Sequence, residues 1–189
     1  MTTDVKPTSR DRLLDAAATL AYREGVSIGV EALCKAAGVS KRSMYQLFDS
    51  KGELLAASLE RRAPDFATLY RLVADSERPP RERILYVFEQ LEAKSTSPNF
   101  RGCPFLAVQV ELKDVDHPAS RVAHQIKARL TDFFRAEAER GGASDPELLA
   151  RQLILVFDGA NARAGIQADS LAGLVAPIVN TLLDAAGVR

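Results

Sequence analysis

The sequence predicts an all-α protein. Three observations predict it: apolar residues recur at helical spacing through most of the chain, Gly and Pro fall between those segments, and no period-2 strand pattern of useful length occurs. There is no internal repeat and no low-complexity tract.

The first helix carries Leu13, Leu14, Ala17, Leu20 and Ala21, and Gly25 ends it. A short helix follows with Val30, Leu33 and Cys34 on one face, broken by Gly38. Ser40 caps a third, whose Met44 and Phe48 are one turn apart. Asp49 and Ser50 offer the next cap, and a longer helix begins near Lys51 with Leu54, Leu55, Leu59, Phe66, Leu69 and Val73. Pro64 lies inside that pattern and is expected to kink or split it. SERPP (76–80) is a breaker. Ile84, Leu85, Phe88 and Leu91 mark a fifth helix, STSPNFRGCP (95–104) a loop, and 105–113 a short sixth helix. Pro118 opens a seventh with Val122, Ile126, Leu130, Phe133 and Phe134, which stops at Gly141-Gly142. Ser144 or Asp145 with Pro146 opens the eighth, running to about Gly165. Leu171, Leu174, Val175, Ile178, Leu182 and Leu183 are assigned to the last.

Composition narrows the class. Apolar residues at 47% and charged residues at 26% suit a globular domain, and no run approaches the ~20 apolar residues that cross a bilayer. MTTDVKPTSRDR lacks the apolar region of a secretory signal, so the expected location is the cytoplasm, away from membranes. Cys34 and Cys103 form no CxxC pair, and His117 and His124 have no metal-ligand spacing, so neither metal nor cofactor is expected. Positive and negative side chains balance at 25 each, which argues against a non-specific nucleic-acid binder. Residues 1–52 hold a slight positive excess: Lys6, Arg10, Arg12, Arg23, Lys35, Lys41, Arg42 and Lys51 against Asp4, Asp11, Asp15, Glu24, Glu31 and Asp49.

Residues 30–55, VEALCKAAGVSKRSMYQLFDSKGELL, are the informative stretch. Gly38 supplies the left-handed residue that a tight turn between two short helices needs. Val39 can plug the angle between them. With Met44 and Phe48 inward, Lys41, Arg42, Ser43, Tyr45 and Gln46 point outward. A short exposed helix carrying cations, hydroxyls and an amide suits phosphates and base edges. This is the layout of a helix-turn-helix, whose second helix enters the major groove of double-stranded DNA.

AGVSKRSMYQLFDSKGELL, within residues 10–55, resembles the N-terminal motif of the tetracycline-repressor (TetR) family: a helix-turn-helix, a Tyr-x-x-Phe, a polar pair, and a Lys opening the fourth helix. RGCPF (101–105) is similar to a loop segment in several of its subfamilies. The resemblance implies phosphate or base contacts for Ser40 and Lys41, and phosphate contacts for Tyr45 and for Lys51 at a helix end. It places Arg42, Ser43 and Gln46 at positions that commonly read bases. Gly29 departs from the pattern by standing where a capping Thr or Ser is common, and Leu47 by standing where a polar or aromatic residue is common.

The resemblance further implies a DNA-binding domain over residues 1–52 and a ligand-binding and dimerisation domain over 53–189. It implies no enzyme activity, and a repressor that a small-molecule effector releases from a near-palindromic operator. An activator, or a helical ligand-binding module without repressor activity, is the alternative. The last two helices, with Gly159, Ala160, Ala162 and Ala164, are the expected homodimer seam. The second part of the chain holds Phe66, Tyr70, Tyr86, Phe88, Phe100, Phe105, Phe133, Phe134 and Phe157, most of them expected in the core. Among them Phe66, Tyr70, Phe88, Phe105, Phe133 and Phe157, with the polar Gln109 and Asn161, are candidates for an effector site. Asp158 and Arg163 are further polar residues in apolar segments. Cys103 would serve as a redox sensor only if exposed and of depressed pKa.

Overall fold

The structure, a computed structural model, describes residues 7–189; Asp4 and Lys6, counted above among the N-terminal charges, lie outside the described residues. Among those described there are nine helices and no strand: α1 (Ser9–Glu24), α2 (Val30–Ala37), α3 (Lys41–Leu47), α4 (Lys51–Ala74), α5 (Pro80–Ser95), α6 (Pro104–Leu112), α7 (Pro118–Arg140), α8 (Pro146–Gly165) and α9 (Val175–Ala186). The chain packs as two compact units. The first runs to Ala63 and takes in Ala107–His124; the second holds Pro64–Leu106 and Gln125–Arg189. The division after residue 52 separates expected functions. Packing divides the chain later, inside α4.

In the first unit, α1 starts in a capping box: Thr8 Oγ1 accepts from Asp11 N at 3.1 Å, and Thr8 N donates to Asp11 Oδ2 at 3.1 Å. Gly25, at φ +89°, ends it as expected. Gly38 ends α2 at φ +62° and ψ +41°. Val39 N donates to Cys34 O at 3.0 Å and Gly38 N to Lys35 O at 3.2 Å, a Schellman closure that needs a left-handed residue. Leu13, Leu33, Met44 and Leu54 reach full burial in the core that α1–α3 and the start of α4 share, and Val39 packs against it half-buried. Arg12 Nε donates to Ala37 O at 3.0 Å, and Arg61 reaches from α4 to Asp11 and Asp15.

In the second unit, the core draws on α4, α5, α7, α8 and α9, and Phe88 and Phe134 are its largest fully buried side chains. Each such ring, fully buried, contributes about 1.5–3 kcal/mol. The RGCPF segment owes its form to close backbone approach. A Cβ on Gly102 would lie 2.7 Å from Asn161 O, and one on Gly165 would lie 2.7 Å from Arg101 O, so the loop and the end of α8 meet through two glycines. Glu137 is fully buried and sits between the guanidinium groups of Arg83 and Arg140.

Two expectations are corrected. Of the kink or split expected at Pro64, the split does not occur: α4 runs from Lys51 to Ala74. The proline removes one backbone donor, but buried Leu54, Leu55 and Leu59 before it and Tyr70 and Val73 after it hold both halves helical. The last helix begins only at Val175. Gly173 has φ +69°, outside the right-handed helical region, so Leu171 and Leu174 lie in the preceding turns.

Candidate nucleic-acid interface

Two short helices and a helix end build this surface. Ser40 is the N-cap of α3: its Oγ accepts from Ser43 N at 3.0 Å and lies 2.9 Å from Ser43 Oγ. Both hydroxyls are thus engaged with each other and with the turn. Met44 is fully buried and Phe48 nearly so, which fixes the roll of α3. Lys41, Arg42, Tyr45 and Gln46 are left exposed on its outer side, and Ser43 half-exposed. Leu47 is exposed beside them, at the rim.

Lys51 opens α4 and is half-exposed; Ser50 Oγ accepts from Glu53 N at 3.1 Å and caps the same turn. At α2, Gly29 caps through its backbone alone, with φ −74° and ψ 151° and no side-chain bond. The amide groups at both helix ends form the positive pole that attracts phosphate.

Sequence reasoning counted Glu31 and Arg10 only in the charge balance and gave neither a place on this surface. Glu31 accepts from Lys41 Nζ at 2.6 Å, which holds its carboxyl below the ordinary carboxylate range. The Arg10 guanidinium lies 5.4 Å over the Phe48 ring, next to the end of α3. Glu31 lies in the first turn of α2, a position where a side chain would face whatever the helix end meets; Arg10 leaves no pattern in the sequence.

His117, from the segment between α6 and α7, also reaches this unit. Its Nδ1 accepts from Ala119 N at 3.1 Å, and its Nε2 lies 3.0 Å from where a Cβ on Gly52 would be. His124 is exposed.

The candidates for an effector site fall as follows. Phe66, Tyr70, Phe88, Phe105, Phe133, Phe157 and Asn161 lie in the second unit, and Gln109, half-exposed, in the first. The rings of the second unit pack on one another: Phe66 on Phe105 with centroids 5.0 Å apart, Tyr70 on Phe133 at 5.6 Å, and Phe88 on Phe157 at 6.1 Å. Asn161 is buried and donates to Phe157 O at 2.9 Å. Lys127, buried, pairs with Asp158 and lies 5.0 Å over the Phe157 ring. Arg163 is exposed and pairs with Asp169 at 3.4 Å. Cys103 is buried, and burial pushes its thiol pKa up, opposite to what a redox sensor requires. Among the described residues no cluster of potential metal ligands occurs, and no helix is long and apolar enough to cross a membrane.

A core-locked helix with polar side chains outward, behind a tight left-handed turn and beside two helix N-termini, defines a helix-turn-helix DNA-binding protein. The family model for bacterial regulatory proteins of the tetR family matches residues 13–58. A TetR-type transcriptional regulator from Streptomyces avermitilis is 68% identical, with 96% of this chain and 100% of that chain covered and a TM-score of 0.92. The chain belongs to the TetR family of transcriptional regulators. The HTH-type transcriptional regulator YjdC of Escherichia coli is 26% identical over 93 residues, 49% of each chain, so the match spans about half the length of that curated relative. The TetR-family regulator CifR, solved as a cysteine mutant with 26-bp double-strand operator DNA, shares the fold at 21% identity, with 98% of each chain covered and a TM-score of 0.75.

Proposed function

We propose that this regulator is a homodimeric repressor that leaves a near-palindromic operator when a small molecule binds its helical body. The observation that carries the reading is the locked roll of α3: Met44 and Phe48 buried, Lys41, Arg42, Tyr45 and Gln46 outward. In this reading Arg42, Ser43 and Gln46 read bases, Ser40 and Lys41 contact phosphates and base edges, and Tyr45 and Lys51 hold phosphates. The site of action is the cytoplasm, where the DNA is. CifR, of the same fold, is bound to an operator.

Dimerisation through α8 and α9 is supported by an apolar surface that a monomer would leave wet. Leu155 is 74% exposed and Ile178 44% exposed. A groove of about 200 Å³, lined by Val156, Gly159, Ala160, Leu174 and Ile178 among others, lies on the same pair of helices. The functional division is 1–52 for DNA and 53–189 for effector and dimer. The proposed effector site is the aromatic cluster of the second unit, Phe66, Tyr70, Phe88, Phe105, Phe133 and Phe157 with Asn161. Its support is the Lys127–Asp158 pair beside the Phe157 ring, a polar feature against an apolar cluster.

The test is a titration of the full chain on the DNA upstream of its own gene, at two salt concentrations, with Tyr45→Phe and Lys51→Ala beside wild type. Salt-dependent binding of a dimer is expected. Lys51→Ala should weaken it and flatten the log–log salt slope by roughly 0.9. Unchanged affinity and slope in both variants would remove the assigned phosphate contacts.

A further inference from the structure

Glu31 is an acid on a face otherwise suited to an anionic partner. It lies in the first turn of α2, and Lys41 lies at the start of α3; their side chains meet at 2.6 Å. The Lys41 side chain is 53% exposed and that of Glu31 83%, so burial does not force the pair. A pair this open adds little to folding.

Its effect on docking is larger. A carboxylate beside a phosphate backbone is repelled, so Glu31 works against every contact that Lys41 alone would make. The pair nevertheless presents a donor next to an acceptor. The ammonium keeps two further hydrogens, and the second carboxylate oxygen remains able to accept. A phosphate offers acceptors only. The major-groove edge of a base pair offers an amino group beside a carbonyl, and carboxylates accept from cytosine N4.

We propose that Glu31 is a specificity-determining residue, which accepts a hydrogen bond from a cytosine amino group in the major groove while Lys41 donates beside it. Where that donor is missing, the unpaired carboxylate penalises docking. The inference rests on the reading of α3 as the recognition helix.

The experiment is selection of preferred sites from a random-sequence duplex pool by the full-length protein. Wild type, Glu31→Gln, Glu31→Ala and Lys41→Met are compared. Each is also titrated on one duplex of arbitrary sequence at two salt concentrations, and its Tm is recorded. Wild type should select a palindromic motif. Glu31→Ala should lose discrimination at one base pair of each half-site by about tenfold, the scale of one good base contact. It should also bind the arbitrary duplex several-fold tighter, whereas Lys41→Met binds it more weakly. An unchanged motif with unchanged arbitrary-duplex binding in Glu31→Gln and Glu31→Ala would overturn the proposal. So would a uniform loss of binding that tracks a lowered Tm, because Glu31 would then only support α2. A wild type that selects no motif would overturn the recognition-helix reading itself, and Glu31's role with it.

Discussion

Glu111 Oε2 accepts a hydrogen bond from Val26 N at 2.7 Å, and the same oxygen lies 2.6 Å from where a Cβ on Gly25 would stand. A carboxylate from α6 thus closes the end of α1, in a space that exists because residue 25 is glycine. Gly25 also has φ +89° and ψ 171°, which side-chain-bearing residues avoid. Glu111→Ala takes the carboxylate partner from the part-buried Val26 N–H and is expected to cost about 1 kcal/mol. Gly25→Ala adds backbone strain of about 1–3 kcal/mol and displaces the carboxylate. The double variant should cost less than the sum by at least about 0.5 kcal/mol, since the two changes disrupt one contact. Urea unfolding of the four proteins at one protein concentration measures this; strict additivity would mean that the contact contributes nothing.

Gly29 leaves α2 without a side-chain cap, although its φ of −74° suits any residue and nothing lies within 4 Å of a Cβ placed there. Gly29→Ser should therefore fold without strain and gain a few tenths of a kcal/mol from the new cap. If the end of α2 meets a phosphate, the added hydroxyl should also raise operator affinity roughly two- to fivefold. Lower affinity at an unchanged Tm would show that this end does not face phosphate.

These two positions show what could be read along the chain. The ends at Gly25 and Gly38, the capping Ser40 and Asp145, and the inward pair Met44 and Phe48 follow from local patterns within one or two turns. The Glu111 contact with Val26 spans eighty-five residues, and the Lys41 contact with Glu31 crosses a turn. Polar side chains that pair over such distances look like solvated surface in a linear pattern. Lys127 went unread, although it shares a helix face with Ala123, Leu130 and Phe134, all fully buried, a spacing that carries the signal of its burial. Pro64 misled because local chemistry spoke for a break while packing on both sides favoured continuity.

Thr8 and Asp11 make a pH-dependent closure of α1. The Thr8 hydroxyl and backbone N–H both donate to the Asp11 carboxylate, and Arg61 and Arg10 add to their effect, so its pKa lies below the ordinary 3.8. A carboxyl depressed in the folded state stabilises above its unfolded pKa and loses that contribution as pH falls through the folded value. Thr8→Ala should lower Tm by a few degrees at pH 7. The gap between wild type and variant should stay constant down to about pH 5 and narrow below the ordinary carboxylate range. Thermal melts across that range decide it, and a gap that widens in acid would contradict the assignment.

Lys127 and Asp158 face each other from α7 and α8 with the ammonium over the Phe157 ring, and the Lys127 side chain is only 10% exposed against 23% for Asp158. Removing one partner strands the other charge. Asp158→Leu leaves a buried ammonium and should cost about 3–5 kcal/mol; Lys127→Met leaves the more exposed carboxylate and should cost less, about 2–4 kcal/mol. Replacing both together should return stability to within about 1 kcal/mol of wild type, because apolar side chains of similar volume fill a core without a desolvation cost. Urea unfolding at one fixed protein concentration tests this, since dimerisation would enter the apparent stability. The double variant also separates folding from sensing. If the pair serves only the fold, a well-folded double variant binds and releases DNA as wild type does. If the pair anchors the effector, the double variant keeps its Tm and its DNA affinity but no longer responds to the molecule that releases wild type. A double variant as unstable as the sum of the two singles would show that these charges contribute through separate surroundings and not as a pair.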